Sequence, residues 1–185
     1  MRNLVYAINL TIDGCFDHTK VSGSEDIHDY FTNLIRDADL LLYGRVTFEL
    51  MVPFWPDVAR SHSGNARSMN EFAQAFDSVD KVVFSHSLER VEDKRSSIAR
   101  GELKDEVLKL KQKQGKKILV GGVDLPAQLI ALGLVDEFYF VVHPILGGEG
   151  RRLFAGDILP ERLKLKLVDS MSLKSGCVAL HYLKQ

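Results

Sequence analysis

The chain is predicted to be an α/β protein, with a mainly parallel central sheet flanked by helices and an antiparallel hairpin at its C-terminal edge. Three observations carry this. Short apolar runs such as Leu40–Tyr43 and Ile118–Val120 lack polar alternation, which suits strands buried on both faces. Segments with helical spacing separate such runs through the first two thirds of the chain. Two strand-like stretches then close the sequence around the turn signal Ser175–Gly176.

In order, Asn3–Ile12 is rich in β-branched and aromatic residues and ends in Asp13–Gly14, so it is predicted as the first strand. Ile27, Tyr30, Phe31, Leu34 and Ile35 share one helical face behind the caps Ser24 and Asp26. Leu40–Tyr43 is a buried strand, and Thr47–Met51 begins a helix that Pro53 stops. Phe54–Trp55–Pro56 is predicted as an aromatic loop, Ser61–Ser68 as a polar loop and Phe72–Phe76 as a helix end. Lys81–Phe84 is a strand, and the charged stretch Arg90–Ser97 is predicted exposed. Glu102–Gln114 is an amphipathic helix with Leu103, Val107 and Leu110 inward, ended by Gly115. Ile118–Val120 is a strand, Pro126–Leu132 a helix ended by Gly133, and Asp136–His143 a long strand closed by Pro144. Leu163–Met171 and Val178–Leu183 form the final hairpin.

The 185 residues suit one domain, 1–185, and 45% apolar content supports a real core. A formal charge of -1 gives no basic excess that would call for nucleic acid or a membrane surface. The lysines of 109–117 follow Asp105–Glu106 and belong to a solvated helix face. No signal peptide or membrane span is expected at the N-terminus. Cys15 and Cys177 show no metal spacing and no CxxC, which predicts reduced thiols and a cytoplasmic protein. The six histidines show no HExxH spacing, so no catalytic metal is expected, and there is no GxSxG elbow. His143, at a strand end before Pro144, is expected to be packed rather than a base.

Three motifs each follow a predicted buried strand, where ligands of α/β sheets bind. Gly44–Arg45–Val46–Thr47 opens a helix, where backbone N–H groups favour an anion, Arg45 adds a charged fork and Thr47 a hydroxyl. Ser85–His86–Ser87 can hold a phosphate or be a polar turn. Gly121–Gly122 fits neither GxGxxG nor a Walker loop, but the missing Cβ atoms permit close approach and unusual dihedrals.

These motifs, with Thr11–Ile12–Asp13–Gly14 before them and Leu134–Val135–Asp136–Glu137 running on to His143–Gly148 after them, resemble the dihydrofolate-reductase-like fold. The match is closest to the reductase domain of the bifunctional riboflavin-biosynthesis deaminase–reductase and its stand-alone bacterial relatives. The resemblance covers nearly the whole chain. It implies NADPH as cofactor, with Gly44, Arg45 and Thr47 at its phosphates, Ser85, His86 and Ser87 near the adenosine 2′-phosphate, and Gly121, Gly122, Val123, Asp124 and Leu125 at the pyrophosphate. It also implies a cis peptide between Gly121 and Gly122. Tyr6–Asn9, Gly14, Phe31 and Phe54–Trp55–Pro56 are candidates to wall the nicotinamide and substrate, with Ala7 on the cofactor side and Asn9 on the substrate side.

The carboxylate that holds the pterin in dihydrofolate reductases falls on His28 here, flanked by Asp26 and Asp29, and an imidazole cannot accept from a pterin amidine in its place. The resemblance therefore points to reduction of a phosphoribosylaminouracil, by hydride to an open-chain imine carbon, with Asp13 and Glu149 as catalytic candidates. No His–x–Glu and Cys–x–x–Cys zinc motif of a deaminase is present. Dihydrofolate reduction and a non-catalytic nucleotide-binding dimer stay open as alternatives. The family commonly forms homodimers through a sheet edge, for which Phe138–Val142 and the terminal hairpin are candidates.

Overall fold

The computed structural model describes residues 1–16, 23–148, 150–153 and 162–185. The strands are β1 (Leu4–Thr11), β2 (Ala38–Gly44), β3 (Asp80–Phe84), β4 (Ser96–Ala99), β5 (Lys117–Val120), β6 (Glu137–His143), β7 (Leu165–Ser172) and β8 (Val178–Lys184). The helices are α1 (Glu25–Arg36), α2 (Arg45–Met51), α3 (Trp55–Ser61), α4 (Arg67–Ser78), α5 (Leu103–Gln112) and α6 (Asp124–Ala131). The strands form one sheet in the order β4-β3-β2-β5-β1-β6-β8-β7. Pairing is parallel from β4 to β6, and β8 runs against both of its neighbours.

The apolar runs mark strands buried on both sides. In β2, Leu41 and Tyr43 face a core made with Ile35, Phe48, Val52 and Phe76 from α1, α2 and α4 and the residue after α2. Leu40 and Leu42 face the opposite core, with Val107 of α5 and Leu125, Leu129 and Ile130 of α6. Two adjacent positions therefore serve two different cores, which is why no alternation is visible in that sequence. A smaller cluster of Ile27, Val141, Cys177 and Ala179 seats α1 on the antiparallel end of the sheet. Cys15 and Cys177 are buried and form no disulfide. Among the described residues no helix is long and apolar enough to cross a membrane.

Several boundaries differ from expectation. Phe54–Trp55–Pro56 is not a loop: α3 begins at Trp55, and Pro56 sits in its first turn, where no backbone N–H is needed. Pro126 likewise lies inside the first turn of α6, which starts at Asp124. Helix α4 runs for 12 residues where only its end was legible. Arg90–Ser97 leads into β4, a short edge strand with no fully buried residue to mark it. Phe138–Val142 is not an edge, because β6 is paired on both sides, with β1 and β8.

Candidate functional site

The carboxyl ends of β3, β2 and β5 are consecutive along one rim of the sheet. Gly44 pairs with Phe84, and Leu42 pairs with Val120, so Ser85, Gly44 and Gly121 leave the sheet at nearly the same level. Adjacent strands lie about 4.8 Å apart, so the three motifs fall within about 10 Å. Helix α2 starts earlier than the sequence suggested: Gly44 is its N-cap, and Arg45 and Thr47 both lie in the first turn. The Arg45 guanidinium is half-exposed and paired with Glu49 at 2.8 Å.

The two glycines are required by the protein's own packing. A Cβ on Gly121 would lie 2.7 Å from Tyr43 Cε1, and one on Gly122 would overlap Thr47 Oγ1. Gly122 also has φ +92, a region that disfavours any other residue. The Tyr6 hydroxyl donates to the Gly122 carbonyl at 3.1 Å, and a Cβ on Gly44 would lie 3.6 Å from Leu125 Cβ, an ordinary contact. Burial pushes the Tyr6 and Tyr43 hydroxyls far above their ordinary range, so both remain neutral donors. The peptide between Gly121 and Gly122 is trans, which corrects the expected cis bond. The positive φ of Gly122 reverses the chain there instead. Gly44, Thr47, Gly121, Gly122 and Leu125 thus form one touching group, with Tyr6 and Tyr43 beneath it; sequence had not singled out Tyr43.

After β3, the Ser85 hydroxyl accepts from Leu88 N–H at 3.0 Å and lies 3.5 Å from the Ser87 hydroxyl. His86 and Ser87 are exposed. Arg100, the residue after β4, donates from Nη1 to the His86 carbonyl at 3.2 Å and from Nη2 to the carbonyls of Leu88 and Glu89. Nothing in the sequence had marked it.

On the far side of β5, Asp13 follows β1. Its carboxylate accepts from the Thr11 hydroxyl at 2.6 Å and from the backbone N–H groups of Gly147 and Gly148 at 2.9 and 3.0 Å. These bonds, the Thr11 hydroxyl foremost, hold its carboxyl well below the usual carboxylate range. Arg152 lies 3.6 Å from it and donates to its backbone carbonyl. This geometry gives Asp13 the work of tying the turn after β1 to the loop after β6. Glu149 lies outside the described residues. Asn9 Oδ1 lies 3.1 Å from Nε2 of the buried His143, whose basicity burial lowers. Ala7 packs into the core beneath the sheet, and Gly14 (φ +79) makes the turn after β1.

The aromatic candidates gather where α1, α3 and α4 meet. Trp55 is centred 4.5 Å from Phe72 and 4.9 Å from the half-exposed Phe54. The His28 ring lies 6.1 Å from Trp55 and 6.0 Å from Phe72, and burial lowers its basicity against the smaller opposing effect of Asp29. Phe31 packs in the core and against Tyr30. Asp26 is committed elsewhere, accepting from Ser175 N–H at 2.7 Å and from the Ser24 hydroxyl.

A cleft of about 290 Å³ separates the start of α6, at Val123, Asp124 and Ala127, from residues 150–153. Arg151 spans it, 2.9 Å from Asp124. The rim therefore offers hydroxyls, backbone N–H groups and the arginines Arg45, Arg100, Arg151 and Arg152, a donor set suited to a phosphorylated dinucleotide.

Residues 2–179 match the RibD C-terminal domain family. The uncharacterized protein YyaP of Bacillus subtilis strain 168 is 31% identical over 185 residues, 98% of this chain and 94% of that one. Two solved structures share the fold. One is RibD of Acinetobacter baumannii (TM-score 0.72, 18% identity), where the whole of this chain aligns with 58% of that one. The other is dihydrofolate reductase of Enterococcus faecalis complexed with NADP(H) (TM-score 0.63, 13% identity), with 99% of this chain aligned to 96% of that one.

Proposed function

The chain belongs to the RibD C-terminal domain family, and from that premise we propose that it is an NADPH-dependent reductase of a small heterocyclic or sugar-linked substrate, of the 5-amino-6-(5-phosphoribosylamino)uracil reductase type. The observation that carries the reading is the alignment of three strand-end motifs at β3, β2 and β5, with Gly121 and Gly122 packed on Tyr43 and Thr47. In it, Thr47, Arg45 and the turn at Gly121–Val123 hold the cofactor phosphates, and Ser85, His86 and Ser87 receive the adenosine end. The dihydronicotinamide, when bound, supplies a hydride. The chain supplies position and exclusion of water, the task of Trp55, Phe54 and Asn9. Asp13 shapes the rim by tying Gly147 and Gly148 to the turn after β1, and Glu149 is the candidate for proton transfer.

Dihydrofolate is disfavoured as a substrate. His28 occupies the carboxylate position, Asp26 is bound to Ser175, and Asp29 is exposed. The test is loss of reduced-nicotinamide absorbance with the aminouracil ribotide or dihydrofolate present. Turnover of the ribotide alone is expected; turnover of dihydrofolate would replace the reading. NADPH binding with no turnover of either would favour a non-catalytic nucleotide-binding dimer.

The reading takes residues 1–185 as one cytoplasmic domain that pairs with a second copy. The supporting feature is the terminal hairpin, where Leu167, Val168 and Met171 on the edge strand are 51%, 50% and 49% exposed.

A further inference from the structure

We propose that Arg100 is the positioning residue that makes the loop after β3 selective for a phosphomonoester, and so sets the preference for NADPH over NADH. The proposal rests on the cofactor reading above. A trans peptide is planar, and its carbonyl and N–H point in opposite directions. Arg100 draws three carbonyls, those of His86, Leu88 and Glu89, onto one guanidinium. The N–H groups of the same three peptides, on Ser87, Glu89 and Arg90, are thereby turned away from it. Among the described residues none of these three N–H groups donates to a protein acceptor, and all three residues are exposed.

The loop is thus a layer of aligned peptide dipoles with a fixed cation behind it and free donors in front. A cation on the carbonyl side polarises each peptide and strengthens its N–H as a donor. The Ser85 and Ser87 hydroxyls lie within the same turn, 3.5 Å apart. Loop position is fixed from below as well, because Ser85 N–H donates to the carbonyl of Ala99, the residue before Arg100. A dianionic phosphate on the ribose fits this surface; the bare 2′-hydroxyl of NADH gains little from it.

The experiment is titration of the full chain and two variants with NADPH and with NADH, followed by nucleotide fluorescence. Arg100→Met keeps an apolar stem but removes charge and donors. It should weaken NADPH binding about tenfold, because the loop N–H groups lose the cation that orients and polarises them, and leave NADH within about twofold. Arg100→Lys keeps the charge without the fork and should fall between Met and wild type. An unchanged NADPH-to-NADH ratio in Arg100→Met would overturn the proposal while leaving the cofactor reading intact. An equal loss for both nucleotides is one form of that outcome and would show a general structural role. Equal wild-type affinity for the two nucleotides would overturn the placement of the 2′-phosphate and the proposal together.

Discussion

Gly122 shows how much one hydrogen atom can decide. Gly122→Ala would force a Cβ into contact with Thr47 Oγ1 and hold alanine at φ +92. It should cost about 1–3 kcal/mol, read as a lower urea midpoint at unchanged m. The companion change Thr47→Gly should recover the steric part and leave the backbone part. Asp13 carries a pH prediction. Its folded pKa lies below its unfolded value of about 3.9, so its contribution is present above that value and lost as pH falls. Asp13→Asn should flatten the acid limb of a stability–pH curve; an unchanged limb would show that the bonds to Thr11, Gly147 and Gly148 do not matter in solution. Sequence showed that Gly121 and Gly122 permit close approach and unusual dihedrals, but not that Tyr43 and Thr47 fill the space a Cβ would take. Tyr43 and Thr47 belong to a strand and a helix more than seventy positions away, and no local pattern encodes that contact. Arg100 was invisible for the same reason, since an arginine among other charged residues carries no periodic signal.

Elements were legible where burial is two-sided or helical spacing is long. The strands β1, β2, β5 and β6 and helices α1 and α5 follow the apolar pattern closely. Misses came where one local signal outweighed another. Phe54–Trp55–Pro56 looked like an aromatic loop, yet α3 starts at Trp55, because the first turn of a helix asks nothing of the proline N–H; α6 was expected from Pro126 and starts two residues earlier, at Asp124. Strand β4 spans only Ser96–Ala99 and owes its existence to pairing with β3. The junction of α5 with the sheet offers a measurable tie. Against the expectation of a solvated face for the lysines of 109–117, Lys111 is almost fully buried and donates to the Leu134 carbonyl at 2.8 Å and to Asp136 at 2.6 Å. Lys111→Met should cost about 2 kcal/mol, because it leaves a carbonyl and a carboxylate short of a donor. Chemical denaturation of the two proteins measures this, and equal midpoints would show that methionine packing compensates.

For the whole molecule, the terminal hairpin predicts assembly. Leu167→Lys with Met171→Lys, both on the exposed edge strand, should convert a dimer to a monomer by sedimentation while leaving thermal unfolding cooperative. A wild-type chain that sediments as a monomer at micromolar concentration would remove the dimer from the reading. The position of β5 has a separate consequence, for synthesis. It lies between β2 and β1 in the sheet, yet about seventy residues separate it from β2 in the chain. While a ribosome is still making the first hundred residues, the strand that pairs with both β1 and β2 does not yet exist. Both edges stay open until residues 117–120 emerge and insert. The segment that joins them is the one that ends in Gly121–Gly122. A nascent chain therefore cannot own a nucleotide rim before it owns a closed sheet, and a stalled fragment should look to quality control like two unpaired strands rather than a weak enzyme.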